Sequence, residues 1–264
     1  MRNARAFLIA TALLLVAAMR LCGAEPFVYD TSPTHVIFEI STRGGFESQL
    51  QELTALPDFV LYGDGTAVWV RHDKKKDLNV LMAARLSSEE VAAELAWVES
   101  MGFSGWYDRY DRVTLPKMPT TTVRLDLKSG TTTRMVYGLA MALKQKVVPE
   151  GFGQLYDHFT QFHHKDEYEY PIDKITLYAR KLTKSEARRG YRSLSWGVKQ
   201  VVLGDIAHDG DVDFGQKIFT GADAERVVSR LRNWTLFSTE LSVVFFKDKK
   251  DDFQVGYRPV LPHE

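Results

Sequence analysis

The stretch "DFVLYGDGTAVWV" (58–70) limits what this chain can fold into more than any other segment. Two apolar runs, each long enough for a strand, flank Gly63, Asp64 and Gly65. Glycine supplies the positive φ that a tight reversal needs, so the pattern predicts a β-hairpin, with Asp64 a turn residue and not a catalytic acid. A lone hairpin is marginal in water, so it must recruit more strands and a layer to pack on. The strands are present. "HVIFEIST" (35–42) alternates and is rich in β-branched residues, and "TTVRLDL", Ser129-Gly130 and "TTTRMVYG" form a second hairpin. The charge run "RHDKKKD" (71–77) reads as a solvated loop.

The packing layer is legible between the hairpins, in "NVLMAARLSSEEVAAELAWVESMG". Ser87 followed three residues later by Glu90 is a capping box, with Leu86 and Val91 as its hydrophobic staple. Val91, Leu95 and Val98 then recur at helical spacing, and Gly102 stands where a C-terminal cap belongs. The second half repeats this order. "KITLYAR" (174–180) and "QKIF" (216–219) read as strands, and "TGADAERVVSRLRNW" as a helix in which Thr220 and Asp223 copy the capping spacing. "LSVVFFK", "DKKDD" and "FQVGYRP" close with a hairpin. Between the halves, "PEGFGQLYDHFTQF" (149–162) places Leu155, Phe159 and Phe162 on one helical face. The fold class that follows is α+β, an internal duplication of two similar halves (25–143 and 144–264), each an antiparallel sheet with β-hairpins and a packed, capped helix.

The chain of 264 residues opens "MRNARAFLIATALLLVAAMRLCGAEP". Arg2 and Arg5 precede an apolar run from Ala6 to Ala18, and Leu21 to Ala24 end in a small residue. This is the layout of a signal peptide over 1–24, and it predicts a secreted or periplasmic protein. The apolar run falls short of the ~20 residues that a spanning helix needs, so no integral membrane segment is expected after cleavage. Cys22 sits near the cleavage point, but Met19-Arg20-Leu21 lack the small residue that lipidation requires just ahead of the cysteine. Cleavage before Glu25 removes the one cysteine, and with it disulfide, thiol-nucleophile and thiolate-metal chemistry. The whole chain carries 34 basic and 34 acidic groups, and loss of Arg2, Arg5 and Arg20 leaves a slight acidic excess. Such a balance offers no footprint for nucleic acid.

Three clusters carry candidate chemistry. The first, "GDIAHDGDVDFGQ" (204–216), resembles a calcium loop through Asp205, Asp209, Asp211 and Asp213. Started at Asp205, however, an EF-hand register puts Ala207 at position three and Gln216 at twelve, where a bidentate Glu belongs. The flanks "WGVKQVVLGD" and "QKIF" look like strands where helices are required, so a solvated turn is the better reading and calcium is the only cofactor left open. The second cluster is His158, His163 and His164 near Asp157, Asp166, Glu167 and Glu169. No H-E-x-x-H spacing exists there, and cations at a helix C-terminus are favoured by its dipole without any metal. The third, "FSGWYDRYDR" (103–112), mixes Trp106, Tyr107 and Tyr110 with Asp108, Arg109, Asp111 and Arg112. Aromatic platforms beside Arg and carboxylates suit a protein, peptide or glycan ligand. No G-x-S-x-G elbow, P-loop or full dinucleotide fingerprint occurs. Asn233-Trp234-Thr235 is a glycosylation sequon if the host is eukaryotic.

"LPDFVLYGDGTAVWV", "PTTTVRLDLKSGTTTRMVYGL", "FTGADAERV" and "YRPVLPHE" resemble, in that order, segments of a family of uncharacterised secreted bacterial proteins and lipoproteins. The resemblance implies export and a single architecture, and it transfers no catalytic residue. The expectation from sequence is an exported, non-catalytic binding or interaction protein of the cell envelope. An exported hydrolase with a site assembled from distant residues, or a calcium module at 205–216, are the alternatives.

Overall fold

The computed structural model describes residues 27–73, 78–187, 193–207, 213–231 and 245–264. The hairpin that dominates the sequence is present. Strand β2 (Phe59–Tyr62) turns through Gly63–Gly65 into β3 (Thr66–Asp73), with Phe59 opposite Trp69 and Leu61 opposite Ala67. Asp64 is the turn residue expected: its Oδ1 accepts from the Thr66 N–H at 2.9 Å, and Arg85 pairs with its other oxygen. Of the two glycines, Gly65 takes the expected positive φ (88°) and Gly63 does not, but both are needed for space. A Cβ on Gly63 would lie 1.8 Å from the Asp30 carbonyl oxygen, and one on Gly65 only 2.3 Å from that of Leu86.

Around this hairpin stands an eight-stranded sheet. Its other members are β1 (Val36–Arg43), β4 (Leu78–Arg85), β5 (Arg109–Tyr110), β6 (Thr120–Leu127), β7 (Gly130–Tyr137) and β8 (Tyr168–Glu169), and the order is β5-β7-β6-β1-β2-β3-β4-β8. All pairings are antiparallel except β5 with β7. The expected loop at 71–77 is shorter than its charge suggests, because Arg71, His72 and Asp73 continue β3 opposite Val80, Asn79 and Leu78. His72 is exposed and Arg71 and Asp73 are half-buried while the backbone stays in the ladder.

Both faces of this sheet are apolar. Phe38, Ile40, Phe59, Leu61, Ala67 and Trp69 face helix α2 (Ser88–Ser100) and helix α4 (Glu150–Thr160), with the short α3 (Leu139–Lys144) completing the layer. Phe159 of α4 lies 4.6 Å from the Phe38 ring and 4.7 Å from that of Phe59. On the other face Val36, Val60, Tyr62, Val68, Leu81 and Ala83 are covered by Leu56 and Leu261. β2, buried along its whole length, accordingly reads as a continuous apolar run without alternation.

The capping box is formed as read. Ser87 Oγ accepts from the Glu90 N–H at 3.2 Å, the Ser87 N–H donates to Glu90 at 2.8 Å, and Val91, Leu95 and Val98 are buried. The same device starts α1 (Gln49–Thr54) with Ser48 and Gln51, and α5 (Lys184–Ala187) with Thr183 and Glu186.

The second sheet joins β9 (Lys174–Lys181), β10 (Ser193–Ser195), β11 (Gly215–Thr220), β12 (Phe245–Asp248) and β13 (Asp251–Pro259) in the order β10-β12-β13-β9-β11. Helix α6 (Gly221–Leu231) lays Ala224, Val227 and Leu231 on Ile175, Leu177, Phe253 and Val255. Thr220 directly precedes this helix, but the Asp223 carboxylate is taken by Arg226 at 2.7 Å. The stretch 198–202, which looks like a strand, is not one. Val198, Val201 and Leu203 are buried from turns, fixed by the Trp196 indole N–H on the Val201 carbonyl and the Leu203 N–H on Asp248.

The protein is therefore α+β, built on two mainly antiparallel sheets. The hairpins that follow α2 and α6 join their sheets differently. After α2 the first strand of the hairpin (β6) lies beside β1, whereas after α6 the second strand (β13) lies beside β9. α4 and β8 belong with the first sheet, so the segment 150–169 packs with the residues that precede it.

Replacing Ser87 by Ala removes an acceptor from an otherwise unpaired N–H in the first turn of α2, at a cost of ~1 kcal/mol. Thermal unfolding should show Tm lowered by about 2–4 °C. Ser88→Ala, whose hydroxyl meets only Glu89, should leave Tm within error.

Candidate functional site

The aromatic segment 103–110 is held by one buried cation. Gly102, at φ 89°, turns the chain out of α2 into a short 3-10 turn over Phe103–Gly105. Arg134, on β7, then reaches across this turn. Its Nε donates to the Phe103 carbonyl at 3.2 Å and its Nη2 to that of Ser104 at 3.0 Å, while Nη1 pairs with Asp108. The guanidinium also lies 5.6 Å from the Phe103 ring centre. Arg134 is only 8% exposed, and a buried cation is tolerated when its donors are used this fully. The Met135 N–H on the Asp108 carbonyl, at 2.9 Å, then starts the parallel pairing of β5 with β7.

This anchoring separates the four residues singled out by sequence. Trp106 turns inward, stacked on Phe152 at 5.2 Å and packed edge-on against Phe103. Tyr107, Arg109 and Tyr110 stay together at the surface. Tyr107 is 76% exposed, its ring 5.9 Å from that of Tyr110, whose hydroxyl accepts from the Tyr107 N–H at 3.0 Å. Arg109 meets Asp111 at 3.4 Å, both largely in solvent. The result is a two-ring aromatic step beside an exposed acid–base pair, on an edge strand only two residues long.

The aspartate-rich turn is partly described. Asp209 and Asp211 lie outside the described residues, as do the leader 1–24 and Asn233. Asp205, itself exposed, ends a 3-10 turn that begins at buried Leu203, and the Asp213 carboxylate accepts from Gln49 of α1 at 3.1 Å. The histidines find partners that the sequence does not place near them. His158 meets Glu94 at 2.8 Å and stacks on Trp97 at 4.2 Å, and His164 approaches Glu90 at 3.4 Å, both carboxylates coming from α2. His163 pairs with Glu167, which also holds Arg71. The hydrogen bond from the Ser87 N–H, with His164 beside it, holds the Glu90 carboxyl below the usual range. The His158 and His164 contacts link α2 to α4 and the chain just beyond it, whereas His163 and Arg71 share Glu167. Among the described residues no group of three His, Cys, Asp or Glu is placed to hold a metal.

No protein-family model, curated protein or solved structure matches this chain. The reading of function therefore rests on the geometry of its own residues.

One group escaped the sequence altogether. Asp58 precedes β2, and its Oδ2 is buried without a hydrogen-bond partner. Burial pushes its carboxyl up to about 6, against the hydrogen bonds of Thr42 and the charge of Arg43, which pull it down. Thr42 also touches Thr121 at 3.3 Å and bonds Tyr156, so this polar knot ties β1, β2, β6 and α4 together at one end of the first sheet. Nothing in the spacing of Asp58 marks it, since its neighbours arrive from three other elements.

The folded state favours the protonated form of Asp58. Its stabilising share is therefore fully present below the unfolded value near 4 and is lost as pH rises through about 6. The difference is about 3 kcal/mol, taking 1.36 kcal/mol per pH unit. Asp58→Asn should raise Tm at pH 8 and flatten the fall in Tm between pH 4 and 7. An unchanged pH profile would mean that Asp58 is ionised at no cost in the folded protein.

Proposed function

We propose that this is an exported, non-catalytic binding protein of the cell envelope, which engages a protein, peptide or glycan through Tyr107, Arg109 and Tyr110. One observation carries the reading. A tyrosine that is 76% exposed stands on a segment whose backbone is pinned by a buried arginine. An exposed aromatic has no role in the core, and a fixed backbone removes much of the ordering cost of binding. Tyrosine and arginine are also the side chains most often found at the energetic centre of recognition surfaces. Trp106, next in sequence to Tyr107, anchors the segment to the first core through Phe103 and Phe152.

Export is supported by the charged start, short apolar core and small-residue end of 1–24. Among the described residues no helix is long and apolar enough to cross a membrane.

Immobilised glycan and peptide panels, probed with the wild type, should yield a bound class. Tyr107→Ala and Arg109→Ala should each weaken that binding at least tenfold, with circular dichroism unchanged. Tyr168→Ala, which removes an exposed tyrosine on β8, should leave it intact. Retention of binding by both Tyr107→Ala and Arg109→Ala would refute the assignment.

A further inference from the structure

A second surface is organised by backbone rather than by side chains. β11 is the outer strand of the second sheet, and among the described residues nothing pairs with its far side. Its register on β9 runs from Gly215 opposite Ala179 to Thr220 opposite Lys174, and the Gly221 N–H donates to the Asp173 carbonyl at 2.9 Å. In an antiparallel ladder, alternate residues direct both backbone groups to the same neighbour. Gly221 thus sets the parity: Gly215, Lys217 and Phe219 bond β9, while Gln216, Ile218 and Thr220 aim their N–H and C=O groups outward. The opposite edge of β9 agrees, since the Val260 N–H reaches the Lys174 carbonyl at 3.0 Å. Gln216, Lys217, Ile218 and Thr220 are all exposed, and Ile218, at the centre of the outward set, is 57% exposed.

An edge that no described strand covers, with a β-branched apolar residue at its middle, is a template for strand addition. We propose that its occupant is a second copy of this chain: two β11 strands pair antiparallel about a two-fold axis at Ile218, joining the two second sheets into one.

The register argues for self-pairing. With Ile218 opposite its symmetry mate, Gln216 stands opposite the mate's Thr220, so all three outward-facing residues exchange both of their backbone bonds. On one face the two Ile218 side chains meet, flanked by Gln–Thr pairs. On the other face Lys217 stands across from the mate's Phe219. Lys217 already lies 5.5 Å from its own Phe219 ring, so the cation finds aromatic faces on both strands. A two-fold at Lys217 would oppose two like charges and leave Thr220 unpaired. One at Phe219 would leave Gln216 beyond the end of the partner strand. The Ile218 register alone satisfies every outward group and separates the charges. The contact is isologous and closes on itself, so it gives a dimer and not a filament. Edge pairing of one short strand covers little area, so the dimer is a concentration-dependent one.

Disulfide trapping tests the register. In the chain carrying Cys22→Ser, an introduced cysteine is the only thiol. Directly opposed residues of a hydrogen-bonded pair lie about 5.5 Å apart at Cα, within disulfide reach. Mild oxidation of Ile218→Cys should convert most of the protein to a covalent dimer. Gln216→Cys and Thr220→Cys should each remain monomeric alone and cross-link when mixed. In sedimentation of the chain without introduced cysteines, Ile218→Lys should weaken association at least tenfold. Equal cross-linking at all three positions would show random collision and overturn the proposal. So would a maleimide-reactive Ile218→Cys that stays monomeric, or a monomer that pairs β11 with an added extended peptide and not with itself.

Discussion

An eight-stranded sheet that is apolar on both faces has to be covered twice, and this requirement organises the rest of the molecule. α2 and α4 cover one face with a wall of aliphatic and aromatic side chains. Among the described residues, the cluster on the other face takes nothing from a helix. It is closed by Leu56, just after α1, and by Leu261, beyond the last strand of the second sheet. The hydroxyl of Tyr62 on that face meets His263 at 2.8 Å, so a polar contact ends the apolar cover. α1 makes the reciprocal link. Leu50 and Thr54 sit so close to Gly256 on β13 that a Cβ there would be 2.8 Å from the Leu50 Cδ1. The two sheets are thus joined by segments that each lends to the other's surface.

What was legible in the sequence is what is local. The Gly63–Gly65 reversal, the Ser87–Glu90 box and the strands at 174–181 and 215–220 are all decided by residues within a few positions of one another. The apolar run at 198–203 misled because burial there comes from Trp196 and Asp248 bonding the backbone of a turn, which a periodicity cannot distinguish from a strand. The strand order of the second sheet was not legible either. The choice between β12 and β13 as neighbour of β9 depends on which face of the hairpin meets α6, a tertiary matter.

The candidate site divides the same way. Exposed Tyr107 and Arg109 beside buried Trp106 could not be told apart by type, since all three suit a binding surface. Arg134 makes the distinction, and it lies on a strand some thirty positions away with no motif around it. Asp58 is comparable. Its raised carboxyl is a product of burial under Tyr156 and Thr42, and a single sequence carries no trace of that enclosure.

The placement of Leu261 and His263 bears on when the molecule can fold. Residues from 36 onward supply the strands of the first sheet, but the cover of its second face is incomplete until Leu261 and His263 are in place. Contacts that span the chain this widely are slow to close, because the loop must be ordered before the contact rewards it. A half-delivered chain therefore holds an unfinished sheet with one apolar face only partly covered.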